Sequence, residues 1–361
     1  MNDANELISF IASMSGEGNL RVEENLGEGY VRLRVSEAER RQAKHDIQHV
    51  EDIVIEMLRN ARDAGADKVY LATSKEDGVR TLVFLDNGSG VPQDMQERIF
   101  DARVTSKLES MKMDRWGVHG RGMALFSIKQ NTDEARVVAS DVDLGTVFKV
   151  SVATDRLGER VDQSSWPQAV KDEGGHYVCA RGPHNIIRAA CEFALEELRA
   201  CDVYLGSPSE IAATLHAQAS SRLDASRLLF IDDEAELPVI DRLGLASDAE
   251  DFIRICSGLG LEMSERTAHR ILAGQIKPVR GVTARLLRER DSSSHASAPV
   301  DLAKDRRGLR IAKDDMAQFS RAVERDFNDL ASRYYLNLCG DPKIRVSRDR
   351  ITVTFDLAKE E

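Results

Sequence analysis

Hydrophobic and polar positions divide the first 155 residues into a regular series of elements. Residues 1 to 28 read as a short helix, Leu7 to Met14, followed by a Gly- and Glu-rich loop. Tyr30-Val31-Arg32-Leu33-Arg34-Val35 alternates and predicts a strand. Ser36 with Glu39 three residues on is a capping-box signature. From it one uninterrupted helix is expected to about Ala64, with Gly65 as the stop. Ile47, Val50, Val54, Met57, Leu58 and Ala61 recur at helical spacing and predict its buried stripe. Lys68 to Thr73 and Arg80 to Leu85 predict two strands joined by a polar turn at Lys75 to Gly78. A short helix over Gln93 to Phe100, a loop over Asp101 to Trp116 and a helix over Met123 to Gln130 follow. Arg136 to Ser140 and Thr146 to Ala153 close the series as a hairpin.

Beyond residue 153 the patterning is less regular. Residues 154 to 180 give no assignable period. His184 to Ala200 carries Ile187, Ala190, Cys191, Ala194, Leu195 and Leu198 on one side and predicts a helix. Asp202 to Leu205 predicts a strand, and Ser207 or Ser209 starts another helix. Within Asp248 to Arg290, two helices are expected, about Phe252 to Cys256 and Ser264 to Gly274, joined by a turn at Leu259-Gly260-Leu261. Asp291 to Arg307 is rich in Ser, Ala and charge and reads as a linker. A helix from Asp314 or Asp315 to about Leu338 and a hairpin over Lys343 to Leu357 complete the chain. The expected organisation is a domain over 1–155, a mixed α/β connecting region over 156–246, a helical segment over 247–290, a linker over 291–308, and a helix plus hairpin over 309–361.

Four short motifs within the first domain carry chemistry. Glu56, Asn60 and Asp63 stand at i, i+4 and i+7 and share one helix face. Asp86-Asn87-Gly88-Ser89-Gly90 is an acidic residue at a strand end followed by a sharp turn. Gly117-Val118-His119-Gly120-Arg121-Gly122 precedes a helix, the arrangement that brings backbone N–H groups to an anion. Gly145-Thr146 opens the closing strand.

Composition narrows the setting. The formal net charge of −11 argues against a chain that coats nucleic acid along its whole surface and leaves room for a local basic face. The cysteines, Cys179, Cys191, Cys201, Cys256 and Cys339, are odd in number and scattered, without a CxxC pair. They predict a reduced, cytoplasmic setting with neither a disulfide framework nor a zinc site. No signal peptide and no membrane span is expected.

Together and in this order, the four motifs resemble the GHKL superfamily of ATPases, which includes gyrase B subunits, Hsp-type chaperones, histidine kinases and mismatch-repair ATPases. The resemblance covers roughly Ser36 to Ala153. It implies an α+β chain whose first domain is a Bergerat-type α/β sandwich, a mixed or antiparallel sheet packed against helices, followed by a mainly helical C-terminal region with a terminal β-hairpin. ATP and Mg2+ are the implied cofactors. Glu56 takes the role of the residue that polarises the attacking water, and Asn60 that of the magnesium ligand, with Asp63 on the same face. Asp86 takes that of the acceptor for the adenine amine, beside Gly88 and Gly90. Thr105-Ser106-Lys107 resembles a nucleotide lid, with Lys107 either on a phosphate or solvated. Gly117, His119, Gly120, Arg121 and Gly122 are the implied phosphate loop, and Thr146 supplies a hydroxyl near the base. In many members ATP also promotes dimerisation, so a homodimer is among the implied partners.

Residues 248–290 resemble the helix-turn-helix of repressor-type modules, with Arg266, His269 and Arg270 facing outward; duplex DNA is the implied partner, against the alternative of an ordinary helical bundle with a basic face. Three functions stay open at this level. One is an ATP-gated switch that contacts DNA or a protein. Another is a histidine-kinase-like or anti-sigma-type kinase acting in trans. The last is an ATP-binding module without useful turnover.

Overall fold

A computed structural model describes residues 22–106, 112–114, 117–119, 122–198, 200–223, 233–287 and part of 316–359. The expected helix at Leu7 to Met14 and the linker at 291–308 lie outside the described residues.

The described chain opens on a hairpin of β1 (Val22–Gly27), where a Gly- and Glu-rich loop was expected, and β2 (Tyr30–Leu33), within the predicted strand. Gly27, Glu28 and Gly29 all take positive φ, which lets this polar stretch reverse direction. The long helix expected over 36–64 is two helices. Helix α1 (Glu37–Asp46) starts on Ser36, whose N–H donates to Glu39 Oε2 at 2.9 Å, completing the capping box. It stops at Ile47, which is extended. Helix α2 (Val50–Asp63) then starts afresh, because Asp52 Oδ2 accepts from the N–H groups of Gln48 at 2.9 Å and His49 at 2.8 Å. A side chain that satisfies the orphan donors of a first turn stabilises a helix start at that point. The predicted stripe is buried throughout, and Gly65, at φ 76°, ends α2 as expected.

β3 (Lys68–Glu76) and β4 (Val79–Asp86) pair antiparallel through a two-residue turn. Asp77 and Gly78 have φ of 48° and 78°, the signature of a type I′ hairpin. The segment expected as a short helix over Gln93 to Phe100 forms two 3-10 turns, Gln93–Met95 and Arg98–Phe100. The short strand β5 (Val104–Thr105) joins β2. β6 (Lys112–Asp114) and β7 (Gly117–His119) form a two-stranded ribbon, followed by α3 (Ala124–Asn131). β8 (Glu134–Ser140) and β9 (Thr146–Ala153) close the motif region.

The unassigned stretch after it forms the hairpin β10 (Gln168–Lys171) and β11 (Tyr177–Arg181). Helix α4 (Ile186–Glu196) is capped by Asn185, whose side chain accepts from the Arg188 N–H at 2.8 Å. Strand β12 (Asp202–Gly206) lies parallel to β3 at the sheet edge. The main sheet therefore runs β12-β3-β4-β9-β8 and is mixed. Helix α5 (Pro208–Arg222) starts on Ser207 with a capping box and Pro208 in its first turn. Helices α6 (Ala249–Gly258) and α7 (Glu265–Leu272) complete this part, with Gly260, at φ 69°, in the turn between them. The fold is α+β, with the helix-and-sheet sandwich the motifs imply.

Strand side chains alternate between faces, and here the two faces feed two cores. Leu71, Leu82, Phe84, Phe148 and Val150 join α2 and α4 in the first. Tyr70, Val83, Leu85 and Val147 join α5, α6 and α7 in the second. Residues from 156 to 287 thus contribute to both cores, Leu157 and α4 to the first and α5 to α7 to the second. By packing, the described residues up to 287 are one compact unit and those from 316 onward another. The boundaries expected at 155/156 and 246/247 do not separate packing units.

The second unit contains the expected hairpin, β13 excepted. Leu336–Leu338 is strand β13, where the sequence predicts the end of a helix, and it pairs with β16 (Leu357–Lys359). Between them, β14 (Lys343–Val346) pairs with β15 (Ile351–Thr354). Phe327 stacks on Phe355 with centroids 4.0 Å apart. Four cysteines, Cys179, Cys191, Cys201 and Cys256, are buried, and Cys339 is exposed. Among the described residues, no helix is long and apolar enough to cross a membrane.

Candidate nucleotide site

A cavity of about 650 Å³ opens between α1, α2, α3 and the ends of β4 and β9. Its position follows from two local facts. Helix α2 presents Glu56, Asn60 and Asp63 on one side, all lining the cavity. Strands β4 and β9 end side by side, with Asp86 and Thr146 direct cross-strand partners, 3% exposed each.

The turn after β4 is held tightly. Gly88 N–H donates to Asp86 Oδ1 at 2.8 Å, and Asn87 Oδ1 accepts from the N–H groups of Asp67 and Lys68. Ser89 N–H donates to the Ala64 carbonyl at 2.9 Å, which ties the turn to the end of α2. The glycines serve close backbone packing. A Cβ on Gly88 would lie 2.8 Å from Ala64 Cβ, and one on Gly90, at φ 73°, would run into the Asp141 carbonyl oxygen. Gly145, at φ 78°, sits against the Asp86 carbonyl in the same way. Gly90 lines the cavity; Gly88 supports the turn from behind. Ser140 Oγ accepts from the Val91 N–H and donates to the Gly145 carbonyl, each at 2.8 Å. Its single hydrogen being spent there, the 3.1 Å contact with Thr146 has Thr146 as donor. Val91, Ile99 and Phe148 give the same end of the cavity apolar walls, a combination suited to a flat heteroaromatic ring.

At the other end the carboxylate of Glu56 accepts from Arg59 Nη1 at 2.7 Å. Asp63 is paired with Arg62 at 3.0 Å, and Arg62 with Glu197 at 3.2 Å. Asn60 Nδ2 is buried without a hydrogen-bond partner. Which amide atom points where is an assignment, so the Asn60 carboxamide has one polar atom to offer the cavity. That donor set, one amide oxygen among carboxylates, fits a hard divalent cation that keeps most of its waters. Among the described residues no His, Cys, Asp and Glu cluster of metal-binding shape occurs.

The implied phosphate loop is only partly as expected. Gly117 and His119 belong to β7, paired with Asp114 and Lys112, instead of a coil opening a helix. Alternation of Lys112-Met113-Asp114 against Gly117-Val118-His119 favours a ribbon that a reading for glycines passes over. Gly122, at φ 67°, lines the cavity, and a Cβ on it would lie 2.7 Å from the Val104 carbonyl oxygen. Lys107, Gly120 and Arg121 lie outside the described residues. Among the cavity residues that escaped the sequence reading are two arginines, Arg59, one turn from Glu56, and Arg103, which precedes the lid motif. The spacing of three between Glu56 and Arg59 was the available signal for the first; the second is brought in by its fold neighbours alone.

A separate shallow depression lies on α7, among Glu265, Arg266, His269, Arg270, Ala273 and Gln275. Ala268 and Ile271 are buried on its other side, and the outward face carries Arg266 and Arg270 beside Glu265, which lies 3.6 Å from His269.

Residues 47–140 match the histidine kinase-, DNA gyrase B-, and HSP90-like ATPase family. Together with the relatives below, this match supports a GHKL-type ATPase domain over this stretch of the chain. It is similar to the DNA mismatch repair protein MutL of Thermodesulfovibrio yellowstonii, 34% identical over 98 residues, which are 26% of this chain and 18% of the relative. It is also similar to MutL of Staphylococcus aureus strain Newman, 28% identical over 136 residues, 35% of this chain and 20% of that protein. The chain thus spans about a fifth of the length of these curated relatives.

One substitution probes the amide directly. Asn60→Ala is expected to lower magnesium-dependent ATP affinity by roughly 10²-fold, since even second-shell changes cost metal sites about 10- to 100-fold. Titration calorimetry with and without magnesium checks it; equal losses in both conditions would remove the metal assignment.

Proposed function

We propose that the cavity binds ATP with magnesium and hydrolyses its γ-phosphate, and that the nucleotide state acts as a conformational switch. The observation that carries this reading is the convergence of Glu56, Asn60, Asp86 and Thr146 on one cavity inside a GHKL domain. Asp86 would accept the exocyclic amine of adenine, and a buried carboxylate in that role rejects bases lacking the donor. Bound through Asn60, magnesium would neutralise charge on the phosphates. Glu56 would orient a water and take its proton as the water oxygen attacks the γ-phosphorus. The bond from that phosphorus to the bridging oxygen breaks, leaving ADP and inorganic phosphate. Most of the work is positioning and charge stabilisation. A cytoplasmic setting suits a chain whose cysteines are mostly buried and scattered.

Incubation with γ-labelled ATP tests the reading. Free labelled phosphate is the expected product. Labelled protein would favour a kinase acting in trans, and unreacted ATP a binding module.

The partner we favour for the switch is duplex DNA, engaged by α7. Arg266, His269 and Arg270 share its outward face, and Lys277 and Arg280 follow in the chain. The relatives' names, DNA mismatch repair proteins, point the same way. Reversing Arg266 and Arg270 to Glu is expected to weaken binding across sequences and to reduce the slope of log affinity against log salt by about one per lost phosphate contact. Mobility shifts over a salt series measure both. A wild-type protein that shifts no duplex at low salt, with or without a non-hydrolysable ATP analogue, would reassign this face to a protein partner.

A further inference from the structure

The nucleotide cavity is lined by several carboxylates, Glu39, Asp46, Glu56, Asp63 and Asp86 among them, yet a polyphosphate adds several more negative charges. Among the described lining residues the cations are Arg59 and Arg103. Each is held by a carboxylate. Arg59 donates to Glu56 Oε1 at 2.7 Å, and Arg103 Nη2 donates to Glu39 Oε1. Their side chains are 3% and 9% exposed.

Arg103 carries a second signal. Its Nε is buried with no hydrogen-bond partner, although an unmade donor on a buried charged group is costly. The residue also sits at φ 61°, left-handed for a non-glycine. Its N–H donates to the Gly122 carbonyl at 2.8 Å, and its carbonyl accepts from the Leu33 N–H at 3.0 Å. The backbone is thus fixed against the glycine loop and β2, and the guanidinium is held at the cavity wall. Glu39 is anchored independently, since Oε2 accepts from Ser36 N–H and Ser36 Oγ at 2.9 Å each.

We propose that Arg59 and Arg103 are the phosphate-recognising pair of this cavity and that nucleotide binds by ion-pair exchange. Each guanidinium leaves its carboxylate for the triphosphate, which offers oxygens in the forked geometry arginine matches best. Leaving Glu39, Arg103 gains a partner for its unmet N–H. Leaving Glu56, Arg59 frees the carboxylate oxygen that hydrolysis requires, so the arrival of substrate itself unmasks the base. The inference rests on the cavity being an ATP site. It predicts that the resting carboxylates compete with ATP.

The test is calorimetric titration of the full chain with magnesium ATP and magnesium ADP. Arg103→Gln is expected to weaken ATP about 10- to 100-fold, as loss of a charged hydrogen bond does, and ADP less. Glu39→Gln is expected to tighten ATP about threefold to tenfold, because the competing charge is gone while the Ser36 cap can still form. The double variant should bind no tighter than Arg103→Gln alone, which a cycle of the four proteins reads directly. Circular dichroism establishes folding, and Glu39→Asp, which withdraws the charge by one methylene, should give the same ordering at smaller amplitude. Unchanged or weaker ATP binding in folded Glu39→Gln overturns the exchange. Equal losses of ATP and ADP in Arg103→Gln overturn the assignment of that arginine to the phosphates. A wild type that binds no nucleotide overturns this inference together with the reading beneath it.

Discussion

Replacing Glu56 with Gln is expected to cut ATP turnover by about 10²- to 10⁴-fold, the usual contribution of a positioned general base, while ATP binding is retained. The two effects separate because of where Glu56 stands. It lines the same cavity as Asn60 and Asp86 but is bonded to Arg59, so its neutral isostere keeps a hydrogen-bond acceptor for that guanidinium. Removing a negative charge beside a triphosphate also lowers ground-state repulsion, so affinity should hold or rise. The variant then accumulates with ATP bound. If that state is a closed dimer, light scattering with ATP will report more dimer than the wild type gives. Asp86→Ala should behave oppositely: a charged hydrogen bond of the kind proposed for adenine contributes about 1.5–3 kcal/mol, so binding falls and turnover follows. Single-turnover rates and titrations on both variants decide the matter. Equal loss of affinity in the two would erase the distinction on which the hydrolytic role rests. Unchanged turnover in Glu56→Gln would assign activation of the water to another group.

Phe252→Ala is expected to destabilise the nucleotide domain by about 3–5 kcal/mol, the range for deleting a buried aromatic ring. Phe252 is fully buried on α6, edge-on to His216 at 5.5 Å, and lies outside the 47–140 family match. Its core nonetheless includes Tyr70, Val83, Leu85 and Val147 from the strands that carry Asp86 and Thr146. Loss at Phe252 should therefore appear as one cooperative transition at lower denaturant concentration, and added ATP should shift that same transition. A variant in which a nucleotide-sensitive transition stays at the wild-type position, while another moves, would show that the second face folds independently. By the same reasoning a fragment cut at residue 155 exposes those four side chains and loses β12 from the sheet edge.

The parts legible in sequence are those governed by local period and capping. The α2 stripe, the β3–β4 hairpin and the Ser36 and Ser207 caps follow from residues close in the chain, whereas the gathering of Glu56, Asn60, Asp63, Asp86 and Thr146 was legible through the resemblance of the ordered motifs. The break between α1 and α2 was not legible, because Ile47 and Val50 fit a continuous stripe and the interruption comes from Asp52 reaching back to two N–H groups. The hairpin of β10 and β11 and the strand β1 are short, polar and paired with one neighbour each, so they leave little alternation to read. The roles of Arg103 and of the whole second face depend on contacts between distant segments. Val239 N–H, for instance, donates to the Leu144 carbonyl at 2.8 Å, joining the segment before α6 to the turn that carries Gly145. The boundary expected at 155/156 falls within one packing unit for the same reason, since Leu157 and α4 pack with α2 on one face of the sheet, and α5 to α7 pack on the opposite face.

The distribution of thiols makes the protein a convenient subject for spectroscopy. Cys179, Cys191, Cys201 and Cys256 are buried. Burial, with help from Glu197 and neighbouring acids, pushes the Cys201 thiol up to about 12, and burial alone raises that of Cys256. A maleimide dye attacks as fast as exposed thiolate is present, so under native conditions it will label Cys339 first. The unmutated chain thereby carries a single fluorophore on its second unit, and its anisotropy in the presence of ATP and ADP would follow that unit's motion while the first unit stays chemically untouched.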